Sequence, residues 1–203
     1  MGQQTTLTEA QVRGWGALVE RAIANAITGL SHMVRQEVRP SSLRASTVPV
    51  EEVASLVGGP EAVSVGVYLR VTGSATGHMV LVYRPDTAFG LVDLLMGRPP
   101  GSTRALDEME QSALGEMGNI MGSYFLNSLA DASGLRLHPS PPAVMMDMAA
   151  AILQVALADM VVETDEVLVV DSVFGTTDRQ ISGRFLVMPT YGLVRTILAG
   201  LGS

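Results

Sequence analysis

Residues 106–142 constrain the fold more than any other part of this chain. Asp107 is a favourable N-cap residue, and Glu110 places an acid at the third position of the helix that follows. Nothing interrupts the helical pattern before a stop signal at Gly134. The segment therefore predicts a helix of about seven turns, at about 3.6 residues per turn.

This helix has three kinds of surface when its residues are placed about 100° apart. One face is apolar and is expected to be buried: Leu114, Met117, Ile120, Met121, Tyr124 and Phe125. A polar stripe about 60° wide lies beside it, formed by Ser112, Glu116, Asn119 and Ser123. Glycines lie beyond the stripe, at positions 115, 118 and 122. Because each costs on the order of 1 kcal/mol relative to alanine, three of them indicate that another element packs close to the helix backbone.

The polar stripe taken alone is typical of a solvated helix face. A wider pattern is more informative, because three, two and twenty-two residues separate the members of the series Ser112, Glu116, Asn119 and Pro142. Together with the flanking text SALGEMGNI and SPP, this series resembles the signature of the CheC-type phosphatases of bacterial and archaeal chemotaxis. The resemblance extends from about Thr6 to the C-terminus.

The resemblance implies a phosphatase that acts on the aspartyl phosphate of a CheY-like response regulator in chemotaxis signalling. Asn119 would position the hydrolytic water, because an amide adds no negative charge beside an anionic phosphoryl group. Glu116 would dock the regulator by pairing with one of its lysines. Ser112 would support that contact, and Pro142 would shape the loop under the helix. No cofactor of its own is expected, because the phosphorylated regulator brings Mg²⁺.

Two further possibilities concern partners and rival functions. The resemblance implies the deamidase CheD as a second partner. The fold it implies also resembles the middle domain of flagellar switch proteins, so a non-catalytic binding module, or more weakly a phosphate-independent scaffold, is an alternative. The intact series of four residues favours the enzyme.

Composition excludes several classes of function. A net charge of −7 argues against a nucleic-acid partner, because binding to phosphates needs a basic surface. The chain has no cysteine, which is consistent with a reducing cytoplasm, and we expect a cytoplasmic protein. No apolar run reaches the roughly 18 residues of a membrane span. The three histidines are isolated, so a metal site is not expected.

An internal repeat defines the domain organisation. Residues 89–92, Phe-Gly-Leu-Val, recur at 191–194 as Tyr-Gly-Leu-Val, and each copy follows a hairpin and a proline. Further back, each follows a long helix. We therefore predict one domain over residues 1–203, of the α/β class in its α+β form, made of repeats at about 6–97 and 107–201. Its strands would form one antiparallel sheet with two long helices across a face. The resemblance adds a pseudo-twofold axis and places those helices side by side.

The remaining elements are less sharply defined. Three further helices are predicted, over residues 6–38, 85–95 and 189–201. Four strands are predicted, over residues 62–71, 77–84, 166–174 and 181–188. Residues 98–105 are interpreted as a linker-like loop. The apolar middle of residues 145–160 fits a helix or a buried strand, and periodicity does not separate the two.

The first long helix carries a degenerate copy of the motif. In one register Ala17 takes the place of the acid and Glu20 that of the asparagine, and in the other Ile23 takes the place of the amide. Neither register gives a full pair, so the first site is predicted to be vestigial or repurposed. Glu20 and Arg21 are interpreted as solvated charges.

Overall fold

The computed structural model describes residues 9–160, 166–177 and 179–189 of the 203-residue chain. Its helices are α1 (Glu9–Val34), α2 (Val53–Leu56), α3 (Pro85–Leu95), α4 (Glu108–Ser133) and α5 (Ala149–Met160). Its strands are β1 (Arg39–Pro49), β2 (Val63–Gly73), β3 (Gly77–Tyr83), β4 (Leu137–Pro139), β5 (Ala143–Met148), β6 (Glu166–Gly175) and β7 (Gln180–Pro189). A single 3₁₀ turn, Val50–Glu52, precedes α2.

The seven strands of the described residues form one antiparallel sheet, in which five follow the order β1-β6-β7-β3-β2. Strands β4 and β5 both pair with β2, one after the other along its length. Each half of the chain therefore places a strand beside a strand of the other half: β1 pairs with β6, and β5 pairs with β2. The predicted combination of helices with an antiparallel sheet is confirmed. The division into two repeats within one domain stays a prediction.

Helices cover both faces of the sheet. The long helices α1 and α4 lie side by side with α3 on one face, over a core that includes Leu69, Phe125 and Phe185. The shorter helices α2 and α5 cover the other face, where Ile152 packs against β2 at Gly66. Burial of apolar side chains on both faces is the main contribution that stabilises such a layered structure.

The ends of α4 are those that the sequence predicted. The Asp107 carboxylate accepts hydrogen bonds from the backbone N–H groups of Met109 at 3.0 Å and Glu110 at 3.4 Å. At the other end Gly134 has φ 70°, the left-handed conformation that glycine tolerates best. The Glu110 side chain does not complete a capping box, because it pairs with Arg98 at 2.7 Å instead.

Close packing explains the glycines of α4. A Cβ atom at Gly118 would collide with Val67 Cγ1 of β2, and one at Gly122 would lie 3.0 Å from Leu69 Cδ2. The expectation that another element approaches the helix backbone is confirmed, and that element is the sheet. Tyr124, predicted to be buried, is instead 36% exposed, and its ring lies across α1 at Gly29.

Helix α1 ends at Val34, four residues before the predicted end at Val38. Arg35 has a positive φ of 53°, which turns the chain out of the helix. The Ser31 hydroxyl then fixes the exit, because it accepts from the Val38 N–H at 2.9 Å and donates to the Val38 carbonyl at 3.0 Å. The chain continues directly into β1 at Arg39.

One other prediction changes. Residues 98–105 are not linker-like, because the carboxylate of the fully buried Asp93 binds the loop at Gly101, Ser102 and Thr103. The apolar middle of residues 145–160, for which helix and buried strand were both open, is helical and belongs to α5, and strand β5 before it was not predicted. The predicted final helix, residues 189–201, lies outside the described residues apart from its first position, which belongs to β7.

Candidate functional site

The polar stripe of α4 lies at the surface of the molecule. Ser112 and Glu116 are exposed, and Asn119 is half-buried. Within the described part of the chain, no group forms a hydrogen bond or an ion pair with the Glu116 carboxylate or the Asn119 amide. Both are therefore open to an incoming partner, one helical turn apart on the same side of the helix.

Pro142 lies under the turn of α4 that carries Glu116. A Cβ atom at Gly115 would lie 3.6 Å from Pro142 Cγ and 3.7 Å from Val144 Cγ2, which is ordinary van der Waals contact. The structure thus brings Pro142, which is distant in sequence, to the same turn of the helix as Glu116. Its half-buried ring packs against the helix at this turn, and its role in shaping the supporting loop stays a prediction.

Met109 is a candidate contact residue that the sequence analysis missed. Its side chain is 61% exposed, and it lies seven residues, about two turns, before Glu116 on the same side of α4. An exposed methionine provides an adaptable apolar contact for a protein partner. Its spacing of seven residues from Glu116 was the signal that could have identified it. It was missed because an apolar residue in the first turn of a helix is usually assigned to the core.

The N-terminal end of α4 is anchored to the loop before it. Arg98 pairs with the buried Glu110 and also donates to Thr103 Oγ1 at 3.3 Å. Arg179, from the connection between β6 and β7, donates to the Arg98 carbonyl at 2.9 Å. These contacts hold the first turn of the helix in place, and therefore hold the stripe that follows it.

The Asp93 carboxyl organises that loop. Burial acts to raise its pKa, but hydrogen bonds from the side chain and backbone of Thr103 and from the backbones of Gly101 and Ser102 outweigh that effect. The pKa of Asp93 therefore lies below its usual value, and the group stays ionised and bound to the loop.

The degenerate motif of α1 has a structural role. Both α1 and α4 have 26 residues, and aligning their first residues places Ala17 opposite Glu116 and Glu20 opposite Asn119. Ala17 is exposed, whereas Glu20 is half-buried and its Oε1 accepts a hydrogen bond from the Ala45 N–H of β1 at 2.8 Å. The interpretation of Glu20 as a solvated charge was wrong, because its carboxylate binds the edge of the sheet.

Two features are absent from the described ranges. These ranges contain no group of three His, Asp or Glu side chains placed to hold a metal ion. They also contain no helix long and apolar enough to cross a membrane.

Comparison with known proteins gives a consistent pattern. A family model described as the CheC-like family matches residues 109–146, which include all four motif residues. The CheY-P phosphatase CheC of Bacillus subtilis is 26% identical over 183 residues, or 88% of each chain. The crystal structure of FliY from Thermotoga maritima superposes with a TM-score of 0.73 at 22% identity, covering 98% of both chains.

A further match comes from a solved complex. The structure of CheX with CheY, BeF3 and Mg²⁺ from Borrelia burgdorferi aligns with a TM-score of 0.52 at 20% identity, covering 85% of this chain and 97% of that one. The fold, with its two long helices on an antiparallel sheet, is shared with these solved FliY and CheX structures. The sequence resemblance to the CheC-type family is confirmed by the family model that matches residues 109–146 and by the similarity to the Bacillus subtilis protein over most of the chain.

Proposed function

We propose that this protein is a phosphatase of an aspartyl-phosphorylated CheY-like response regulator and that it works through the single site formed by Glu116 and Asn119. The observation that carries the proposal is the pair itself: the exposed carboxylate and the half-buried amide lie on one side of the helix, without partners in the described part of the chain. The relatives' names support it, since one is a CheY-P phosphatase and another was solved in complex with CheY.

The reaction is hydrolysis of an acyl phosphate. A water oxygen forms a bond to phosphorus while the bond from phosphorus to the aspartyl oxygen breaks. The electron pair of the broken bond returns to the regulator's carboxylate, inorganic phosphate leaves, and the water's protons pass to phosphate and solvent. Asn119 contributes by holding the water in line with the leaving oxygen. Because the metal ion already activates the phosphoryl group, positioning of the water is the main contribution left for the phosphatase.

Glu116 serves in docking. Its carboxylate is exposed and is displaced from Asn119 by about one turn, so it can pair with a cationic side chain of the regulator without approaching the phosphoryl group. An exposed ion pair of this kind contributes modest energy, and its main effect is on association and orientation. Mg²⁺ enters with the regulator in this proposal, and CheD as a second partner stays a prediction.

The test is the decay of a radiolabelled phospho-regulator of the CheY type from the same organism. We expect the native protein to shorten its lifetime, Asn119→Ala to abolish this effect with regulator binding kept, and Glu116→Gln to raise KM more than it lowers kcat. Asn127→Ala is the matched control, because Asn127 is an exposed asparagine two turns further along α4. Regulator binding by a native protein that leaves the lifetime unchanged supports the non-catalytic binding module instead.

A further inference from the structure

Strand β5 lies beside the candidate site, and among the described residues it pairs only with β2, so its other edge is free there. The Ala149 N–H donates to the Ala62 carbonyl at 2.9 Å, which fixes this pair as hydrogen-bonded. The register then runs without a shift from Val63↔Met148 to Tyr68↔Ala143. Since hydrogen-bonded and non-bonded pairs alternate in an antiparallel ladder, the N–H groups that point away from β2 belong to the following residues of β5: Val144, Met146 and Met148.

These three outward N–H groups have different surroundings. The Met148 N–H is bonded to the Asp147 carboxylate at 2.7 Å. Across the described ranges, neither the Val144 N–H nor the Met146 N–H has a partner. Val144 is the one that lies at the site, because its side chain contacts α4 at Gly115, one turn before Asn119.

The first half of the chain contains the same arrangement with the donor occupied. Ala45 in β1 corresponds to Val144 in β5, because each lies against a glycine of a long helix. A Cβ at Gly16 would lie 3.7 Å from Ala45 Cβ, and a Cβ at Gly115 would lie 3.7 Å from Val144 Cγ2. The same offset of 99 residues relates Gly16 to Gly115 and Ala45 to Val144. In the first half, a carboxylate oxygen of Glu20 accepts from the Ala45 N–H at 2.8 Å. Glu20 therefore identifies an anionic oxygen as the kind of acceptor that fits this donor.

We propose that the backbone N–H of Val144 binds an anionic oxygen of the regulator's phosphoryl group beside Asn119. In the second half, Asn119 stands at the position equivalent to Glu20. Its side chain is one methylene shorter and carries no charge, so it leaves the Val144 N–H open for substrate. In the first half, Glu20 fills the equivalent place with its own carboxylate. This inference rests on the proposed phosphatase function and adds a phosphoryl-binding group to its site.

The contribution to hydrolysis is electrostatic. The Val144 N–H donates to a non-bridging phosphoryl oxygen and transfers no proton, so the bonds formed and broken are those of water attack at phosphorus. A fixed N–H dipole directed at a charged oxygen needs no reorganisation during the reaction, and hydrogen bonds to charged groups are stronger than neutral ones.

The test removes this N–H and compares the effect with a neighbouring one. Val144→Pro deletes the donor, and an edge strand tolerates proline where the N–H lies outside the ladder. Met146→Pro is the matched control, because it deletes the next outward N–H along β5. We expect Val144→Pro to lower kcat for phospho-regulator hydrolysis about 10- to 100-fold. Met146→Pro should stay within about two-fold of the native protein, since hydrogen bonds that are not made contribute nothing.

A binding measurement separates phosphoryl recognition from general structural damage. The Val144→Pro protein should bind beryllofluoride-loaded regulator more weakly than the native protein, with an unchanged affinity for the unmodified regulator. If circular dichroism shows that Val144→Pro does not fold, the α-hydroxy acid analogue of valine at this position removes the same N–H as a backbone ester and keeps the side chain, with the same expected results.

The outcomes separate the two proposals. Equal hydrolysis by the Val144→Pro and Met146→Pro proteins, with an active native protein and an inactive Asn119→Ala protein, overturns the role of the Val144 N–H and leaves the phosphatase intact. An equal loss of affinity for both forms of the regulator also overturns it. An inactive native protein defeats the phosphatase proposal itself.

Discussion

Asp93 combines full burial with an ionised carboxyl group. Its two oxygens accept four hydrogen bonds from the loop after α3, the shortest of them 2.7 Å from the Gly101 N–H and 2.7 Å from the Thr103 hydroxyl. This set of donors compensates for the water that the carboxylate loses on burial. The loop it holds also carries Arg98, the partner of Glu110 in the first turn of α4. Asp93 thus supports the site from a distance.

We expect Asp93→Asn to lower the free energy of unfolding by about 1–3 kcal/mol at pH 7, because the backbone donors lose a charged acceptor. The folded pKa of Asp93 lies below the ordinary value of 3.8, so the unfolded chain takes up the proton first. The stabilisation is therefore fully present above about pH 4 and is lost as the pH falls through the folded pKa. Urea unfolding at pH 7 and pH 3 should show the difference between native and Asp93→Asn proteins narrowing in acid. Asp131→Asn, at an exposed position of α4, should show no difference at either pH.

Individual side chains were predictable from sequence where their partners are local. The Asp107 cap needs only the N–H groups of Met109 and Glu110, two and three residues further on, and its pattern was recognised. Glu20 bonds to a strand 25 residues further on, so its role depends on how α1 lies along the edge of the sheet. Sequence periodicity contains no information about that geometry, and a half-buried structural acid was taken for a solvated one.

The glycines of α4 show how element packing restricts sequence. A Cβ at Gly118 would collide with Val67, a β-branched residue of a buried strand with little freedom to move. A Cβ at Gly115 would meet only ordinary contacts with Pro142 and Val144. The same helix therefore contains one glycine that the packing requires and one that it does not.

We expect Gly118→Ala to lower the free energy of unfolding by up to about 2 kcal/mol, since overpacking costs about 1–3 kcal/mol and the gain in helix propensity returns about 1 kcal/mol. Gly115→Ala should raise it by about 0.5–1 kcal/mol, because the propensity gain is unopposed. Urea unfolding of the two variants measures both effects. A stabilised Gly118→Ala protein would show that α4 is further from β2 than the structure places it.

Elements with strong terminal signals were predicted well. Helix α3 begins at Pro85 and ends at Leu95, as expected. Proline favours the first position of a helix, and Gly97, with a φ of 64°, follows its end. The end of α1 was missed because it depends on a contact beyond the helix: Ser31, in the last turn, forms hydrogen bonds with the backbone of Val38. Strand β5 was missed because residues 143–148 run without a turn signal into the apolar stretch that forms α5. What separates them is pairing of residues 143–148 with β2, which is a tertiary contact.

At the scale of the whole molecule, the two halves provide each other's edge strands. Strand β1 pairs with β6, and β5 pairs with β2, so neither half completes its part of the sheet alone. Each long helix then lies near one edge, with a glycine against the edge strand: Gly16 against Ala45 and Gly115 against Val144. The resemblance grouped the four motif residues in the sequence, and the structure places Pro142 at the turn of α4 that carries Glu116. The Val144 N–H could not be proposed from the sequence, because every residue except proline has a backbone N–H and its position depends on strand pairing.

This arrangement predicts that the first half retains the framework of a site. Ala17 is exposed where α4 has Glu116, and Glu20 lies where α4 has Asn119. In a protein already inactivated by Asn119→Ala, we expect Ala17→Glu combined with Glu20→Asn to restore part of the phospho-regulator hydrolysis, because the pair returns and the Ala45 N–H is released. Ala17→Glu alone should restore nothing, since Glu20 still occupies the donor. Single-turnover decay of labelled regulator measures both variants. Equal inactivity of the folded double and single variants would show that the surface around α1, and not only its two motif positions, has lost the ability to bind the regulator.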